Sequence, residues 1–170
     1  HPVTVALGYI SMFIVGMCLR SFISNPRKHY DSVIALILHF TVAVLLFVFM
    51  GWQAWFFVFF LPFFIAFAIG AYLFYAQHNF PGVEFYENKN WVYEKAALES
   101  SSFIKMNPAM EWFTGNIGYH HIHHLNSKVP FYRLPEVMKH FVELQNCKTT
   151  SLKLKAIRAC FKLKVWDQEN

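Results

Sequence analysis

The chain has 170 residues, 56% of them hydrophobic and 19% aromatic, with only 15% charged. A soluble domain carries about 25% charge, and between Asp31 and Glu84 this chain has no Asp, Glu, Lys or Arg across fifty-two residues. That gap excludes an ordinary soluble globule, because a bilayer span needs only about 20 apolar residues. The net charge of +5 sits at the ends, with Arg20, Arg27 and Lys28 before the gap and twelve of the fifteen basic residues after it. This distribution suits anionic membrane lipids facing the flanks. No basic stripe interleaved with aromatics marks a nucleic-acid surface, so nucleic acid is not an expected partner.

The expected fold is all-α: an integral membrane protein with a transmembrane helical hairpin and a cytoplasmic helical region. Residues 1–31 form the first part. Their apolar stretch, 3–19, is short and interrupted by Thr4, Gly8, Ser11 and Gly16, so an interfacial or embedded helix that does not cross is expected, followed by a surface turn around Pro26. Residues 32–76 form the hairpin, with helices at about 32–50 and 56–75. The turn holds Gly51, Trp52 and Trp55, the Trp residues suiting an interface, and Pro62 is expected to kink the second helix without ending it. The turn is uncharged and both outer flanks are basic, which places both ends of the hairpin in the cytoplasm.

From residue 77 to 170 the chain is more polar. Phe80-Pro81-Gly82 reads as a turn, 90–102 has helical spacing, and Asn107-Pro108 starts another helix with Pro108 at its first position. Surface helices are expected at 135–145 and 152–165, the last one basic. Cys18, Cys147 and Cys160 are odd in number and scattered, which suggests neither a disulfide framework nor a Cys-rich metal site.

Four histidines in five residues, His120, His121, His123 and His124, dominate this region. On a helix His120, His123 and His124 lie within roughly 100° of one another, so three imidazoles share a face. A solvated patch would be filled by Lys and Glu; imidazoles interrupted by Ile122 point instead to a transition metal. The pattern lacks the Glu of the HExxH metalloproteases. His121 falls beside this face, as a surface residue or one supporting a ligand. His78 follows the second apolar helix on the same expected side of the membrane and joins His120, His123 and His124 as a candidate ligand. His39 lies too deep in the first span for that role. Asn116, four residues before His120, could face the metal or be a turn residue. Glu94 and Glu99 could orient a ligand's distal N–H or be solvated helix charges.

The segment Gly115-Asn116-Ile117-Gly118-Tyr119-His120-His121-Ile122-His123-His124-Leu125-Asn126, followed by Val129-Pro130-Phe131-Tyr132-Arg133-Leu134, closely resembles the third histidine box of membrane fatty acid desaturases. The similarity extends upstream through Leu73-Phe74-Tyr75-Ala76-Gln77-His78 and through 96–103, covers most of residues 70–140, and is strongest to bacterial-type acyl-lipid desaturases. The resemblance implies an O2-dependent enzyme with two non-haem iron ions, its histidine boxes on the cytoplasmic side of four transmembrane helices. The membrane would be a bacterial inner membrane, or the endoplasmic reticulum in a eukaryote. It further implies His78, His120, His123 and His124 as iron ligands, an electron donor of ferredoxin or cytochrome b5 type, and a fatty acyl lipid, acyl-CoA or acyl-carrier substrate. Two earlier boxes of the family, HxxxH and HxxHH, do not occur here, since His1, His29 and His39 have the wrong spacings. The chain is therefore expected to be a C-terminal part, inactive alone. Lipid or carotenoid hydroxylases and alkane monooxygenases share this histidine architecture. A non-catalytic membrane metal-binding or transport protein is a further alternative, though its spans would be expected to carry more polar groups.

Overall fold

The structure, a computed structural model, describes residues 1–86, 89 and 91–163. Helices account for most of it, and the chain divides into two units, His1–Tyr72 and Leu73–Asn170.

In the first unit a short helix α1 (Pro2–Ala6) leads into a widened, π-type helix over Tyr9–Arg20 and a final turn α2 (Ser21–Ser24). Helix α3 (Tyr30–Ala54) is broken at Gly51, whose φ of 81° and ψ of 172° suit only a residue without a Cβ. The chain reverses there: the His39 ring lies 4.7 Å from Phe59 and 4.8 Å from Phe63, far along the sequence. A second π-type stretch, Trp55–Phe60, ends just before Pro62. Proline has no N–H to give and its ring crowds the carbonyl four residues back, so the helix widens ahead of it. Helix α4 (Leu61–His78) continues to the polar boundary. The Tyr9 hydroxyl meets His39 Nε2 at 2.5 Å, and the Tyr9 ring packs 6.0 Å from Phe60 and 6.1 Å from Phe67.

The apolar side chains of this unit point outward. Val48, Phe49 and Met50 are 65%, 78% and 64% exposed. A helical segment that is this apolar and this uncovered, Tyr30–His78, is long enough to cross a membrane and unlike the core helix of a soluble domain.

The second unit, described by itself, begins with the last turns of α4. It continues through α5 (Tyr93–Glu99), β1 (Phe103–Lys105), α6 (Pro108–Phe113), a 3-10 turn Ile117–Tyr119 and α7 (His120–Leu125). After a 3-10 turn at Phe131–Arg133 come α8 (Leu134–His140), α9 (Val142–Gln145), β2 (Thr149–Ser151) and α10 (Leu154–Lys162). The fold is mostly helical as expected, with one addition: β1 and β2 pair in parallel, Phe103 opposite Thr149 and Lys105 opposite Ser151. Strands of three residues are too short to leave a period-two pattern, and their pairing joins distant parts of the chain. The helix expected over 90–102 is shorter, with Asn90 outside the described residues; that expected over 135–145 breaks at Phe141, which is extended. Lys164 and Val165, at the end of the last expected helix, also lie outside the described residues. Helix α6 starts as its sequence dictates: Asn107 Oδ1 accepts the Met110 N–H at 2.9 Å and Pro108 fills the first turn.

Three buried apolar residues, Ile122, Leu134 and Leu144, hold α7 against α8 and α9. On the other side α7 is fixed by β1. A Cβ on Gly118 would lie 2.5 Å from the Ile104 carbonyl oxygen, so only glycine lets the turn before the histidines approach the strand this closely.

Candidate metal centre

Helix α7 is six residues long and its direction is set at both ends. Asn116 takes a left-handed backbone, φ 56°, immediately before the 3-10 turn, a conformation Asn tolerates better than most residues. The fully buried Gln77, one residue before His78, donates its side-chain amide to the Ile117 carbonyl at 2.5 Å, and its main-chain carbonyl accepts the Ser102 N–H at 3.0 Å. This side chain ties the end of α4 to the start of α7. The Tyr93 hydroxyl donates to the His124 carbonyl, and is also 3.2 Å from that of Leu125. It thereby caps carbonyls that a helix end leaves without partners.

These anchors bring three imidazoles to one point. His78 Nε2 lies 3.0 Å from His120 Nε2 and 3.4 Å from His124 Nε2, and the last two are 3.0 Å apart. His78 Nδ1 is 3.3 Å from the Ser100 carbonyl. A neutral His78 that donates this N–H keeps a lone pair on Nε2, directed at the other two rings. A proton shared along one edge of the triangle cannot satisfy the other two.

A cation can satisfy all of them. A triangle with sides of 3.0, 3.0 and 3.4 Å has corners about 1.8 Å from its centre, so an ion about 2.1 Å from all three nitrogens, an ordinary metal–imidazole distance, fits just off its plane. The rings are also electrically prepared. Burial, reinforced by His124, His78, His123 and His121, pushes His120 down to about 3, and burial followed by His78 and His123 lowers His124. Both are neutral at physiological pH and offer lone pairs rather than protons. The donor set is nitrogen-only, which suits iron, zinc, copper or nickel better than calcium or magnesium. Beside His78 and His124 opens a cavity of about 250 Å³, bounded by Trp91 and Tyr93.

Of the residues singled out from the sequence, His78, His120 and His124 are thus brought together. His123 is exposed and outside the triangle, its ring 5.8 Å from that of His120. His121 is completely buried, which removes the surface reading. It packs 6.1 Å from Phe103, and neither ring nitrogen has a hydrogen-bond partner among the described residues. Burial pushes it down to about 4, with the Leu144 backbone acting in the opposite direction. Asn116 donates its side-chain amide to the Phe131 carbonyl at 3.1 Å. Glu99 lies 4.0 Å from Lys95 on the next turn. The group that holds a ligand's distal nitrogen is the Ser100 carbonyl, which no side-chain pattern reveals. The contributions of Gln77 and Tyr93 were equally hidden, though Gln77 adjoins a candidate ligand at the end of an apolar helix.

Three histidine nitrogens are placed where they could hold a metal ion, the helix that leads to them is long and apolar enough to cross a membrane, and comparison with known proteins gives the family. The sequence model of the fatty acid desaturase family matches residues 2–151. This chain belongs to that family. It is 35% identical over 164 residues to a fatty acid desaturase of Bacillus subtilis (strain 168), a match covering 96% of this chain and 46% of that protein. The chain therefore spans about half the length of the curated relative it matches. No solved structure matches it.

Proposed function

We propose that the whole protein is a membrane fatty acyl desaturase that inserts a double bond with O2, and that this chain supplies part of a di-iron centre. The observation that carries the reading is the triangle of His78, His120 and His124 nitrogens in a chain of the desaturase family. In balance, an acyl –CH2–CH2– unit, O2, two electrons and two protons give –CH=CH– and two waters. The electrons come from a donor of ferredoxin or cytochrome b5 type, and the substrate is a fatty acyl lipid or acyl thioester.

Bound iron would supply the O2 activation needed to remove hydrogen from an unactivated methylene, which amino-acid side chains cannot do. The chain's own residues do the rest. His78, His120 and His124 hold one ion; His123, exposed beside them, is assigned to the second, together with ligands from outside this chain. The Ser100 carbonyl keeps His78 in the tautomer that binds through Nε2, and burial keeps His120 free of protons. Tyr93 fixes the far end of α7, and the cavity at His78 and His124 is suited to the reacting part of the acyl chain. His121, buried against Phe103, sets the back of the helix; Asn116 is held by the Phe131 carbonyl and Glu99 faces Lys95.

The exposed apolar surface of α3 and α4 supports a hairpin in the bilayer, and the basic residues on both flanks support cytoplasmic ends. Expression of the full-length gene in a host that lacks desaturation, with analysis of fatty acid methyl esters, tests the reading. New double bonds are expected. Hydroxylated chains without them would reassign the protein to a related lipid hydroxylase.

A further inference from the structure

A cavity outside the histidine site has a volume of about 680 Å³ and lies where β1, β2 and α10 meet. That volume is in the range of small-molecule sites. Its polar lining is Lys105 and Asn107 from the β1 side, Thr149, Thr150 and Ser151 from β2, and Lys153 ahead of α10. No carboxylate lines it among the described residues.

Each polar side chain of the lining can donate a hydrogen bond. Asn107 Oδ1 is already used by the Met110 N–H, which leaves the amide NH2. The Lys105 and Lys153 ammonium groups and the Thr150 and Ser151 hydroxyls make no hydrogen bond or ion pair among the described residues. The strand register keeps them together, because Lys105 stands opposite Ser151. The surrounding sequence is equally one-sided: between Glu143 and Asp167 there are six basic residues and no acidic one. Two lysines, an amide and hydroxyl side chains line one space with no carboxylate among the described residues, a set that matches a tetrahedral oxyanion.

The position narrows the source of that anion. Phe80 and Pro81, two and three residues past the end of α4, complete the cavity wall. Helix α10 is held on the same end of α4, where Asn79 donates to the Cys160 carbonyl at 2.9 Å and the Tyr75 ring stacks 5.3 Å from Phe161. The cavity therefore sits at the polar end of the apolar helix, which in the proposed bilayer placement is the level of phospholipid headgroups. Strand β1 forms one wall, and the same strand backs the turn that carries His120.

We propose that this cavity binds a phosphate group, either that of a phospholipid headgroup or that of a soluble phosphate compound. The full-length protein in an uncharged detergent can be titrated against inorganic phosphate and against dihexanoyl phosphatidylglycerol, binding being read from 31P line broadening at constant ionic strength. Saturable binding of both ligands, in competition with each other, is expected. The double variant K105A/K153A is expected to weaken it about tenfold or more, while K105R/K153R keeps it. Both lysines are exposed, so circular dichroism should remain unchanged. K155A/K162A removes the same charge from α10 outside the cavity lining and is expected to change binding less than about twofold.

Tighter binding of the lipid by tenfold or more assigns the headgroup as the source; equal affinities assign a soluble phosphate. Absence of saturable binding, or equal losses in K105A/K153A and K155A/K162A, would overturn the proposal. The assay uses no O2, electron donor or turnover, so its failure is separable from failure of the desaturase reading.

Discussion

Two buried histidines, one in each unit, show what distinguishes a structural imidazole from a ligand. His39 lies among aromatic rings in the apolar unit and has a complementary partner, the Tyr9 hydroxyl at 2.5 Å. His120 lies at the polar end of the second unit with two other imidazole nitrogens at 3.0 Å, and its Nδ1 has no partner among the described residues. Burial is similar, 9% and 6% exposed, so depth alone does not separate them. The difference is in the partner. A hydroxyl completes one imidazole, whereas three imidazole nitrogens facing one another leave a space that suits a cation. The surroundings follow the same logic: the first unit carries apolar groups outward, while the second encloses Gln77, Ser101 and Ser102 around its histidines.

Replacing a member of the triangle should have the largest effect. His78→Ala, His120→Ala and His124→Ala in the full-length protein should each reduce desaturation to the level of the host alone, measured by fatty acid methyl esters. Activity within about threefold of normal in any of the three would remove that residue from the site.

Acidification comes next, because His120 is held at about 3, well below its ordinary 6.5. The unfolded chain binds the proton first, so the stabilisation by neutral His120 is complete above about 6.5. It is lost progressively as the pH falls from there toward 3. Thermal unfolding of the full-length protein should therefore show a falling midpoint between pH 7 and pH 5, less steep in His120→Asn. A flat profile would mean that His120 is not buried as a neutral ring.

His39→Phe should sharpen the contrast from the other side. Loss of the Tyr9 bond, with the hydroxyl left unsatisfied, should cost about 1–3 kcal/mol of stability, read in a thermal melt, with metal content unchanged. The smallest effect belongs to Tyr93→Phe, which removes one hydroxyl from the end of α7. It should lower stability by about 0.5–1.5 kcal/mol and leave iron bound; release of iron would make Tyr93 more than a helix cap.

The histidine cluster was legible because spacing fixes direction on a helix. His120 and His124, four apart, share a face, and His78 stood out at the end of a charge-free stretch. The same rule put His123 on that face, but α7 is only six residues long and one step of rotation takes the ring out of the triangle. His121 is buried beside Phe103 and the Leu144 backbone, which no local pattern announces. The pairing of β1 with β2 joins residues more than forty positions apart through three-residue strands. Ser100 acts through its carbonyl, which every residue has. In each of these cases the missing information was tertiary.

Iron analysis of the full-length protein tests the central claim most directly, comparing the natural sequence with His120→Ala and His39→Phe. The account predicts about two irons per chain in the natural protein and in His39→Phe, and at most about one in His120→Ala. Full iron content in His120→Ala, with His39→Phe depleted instead, would contradict it.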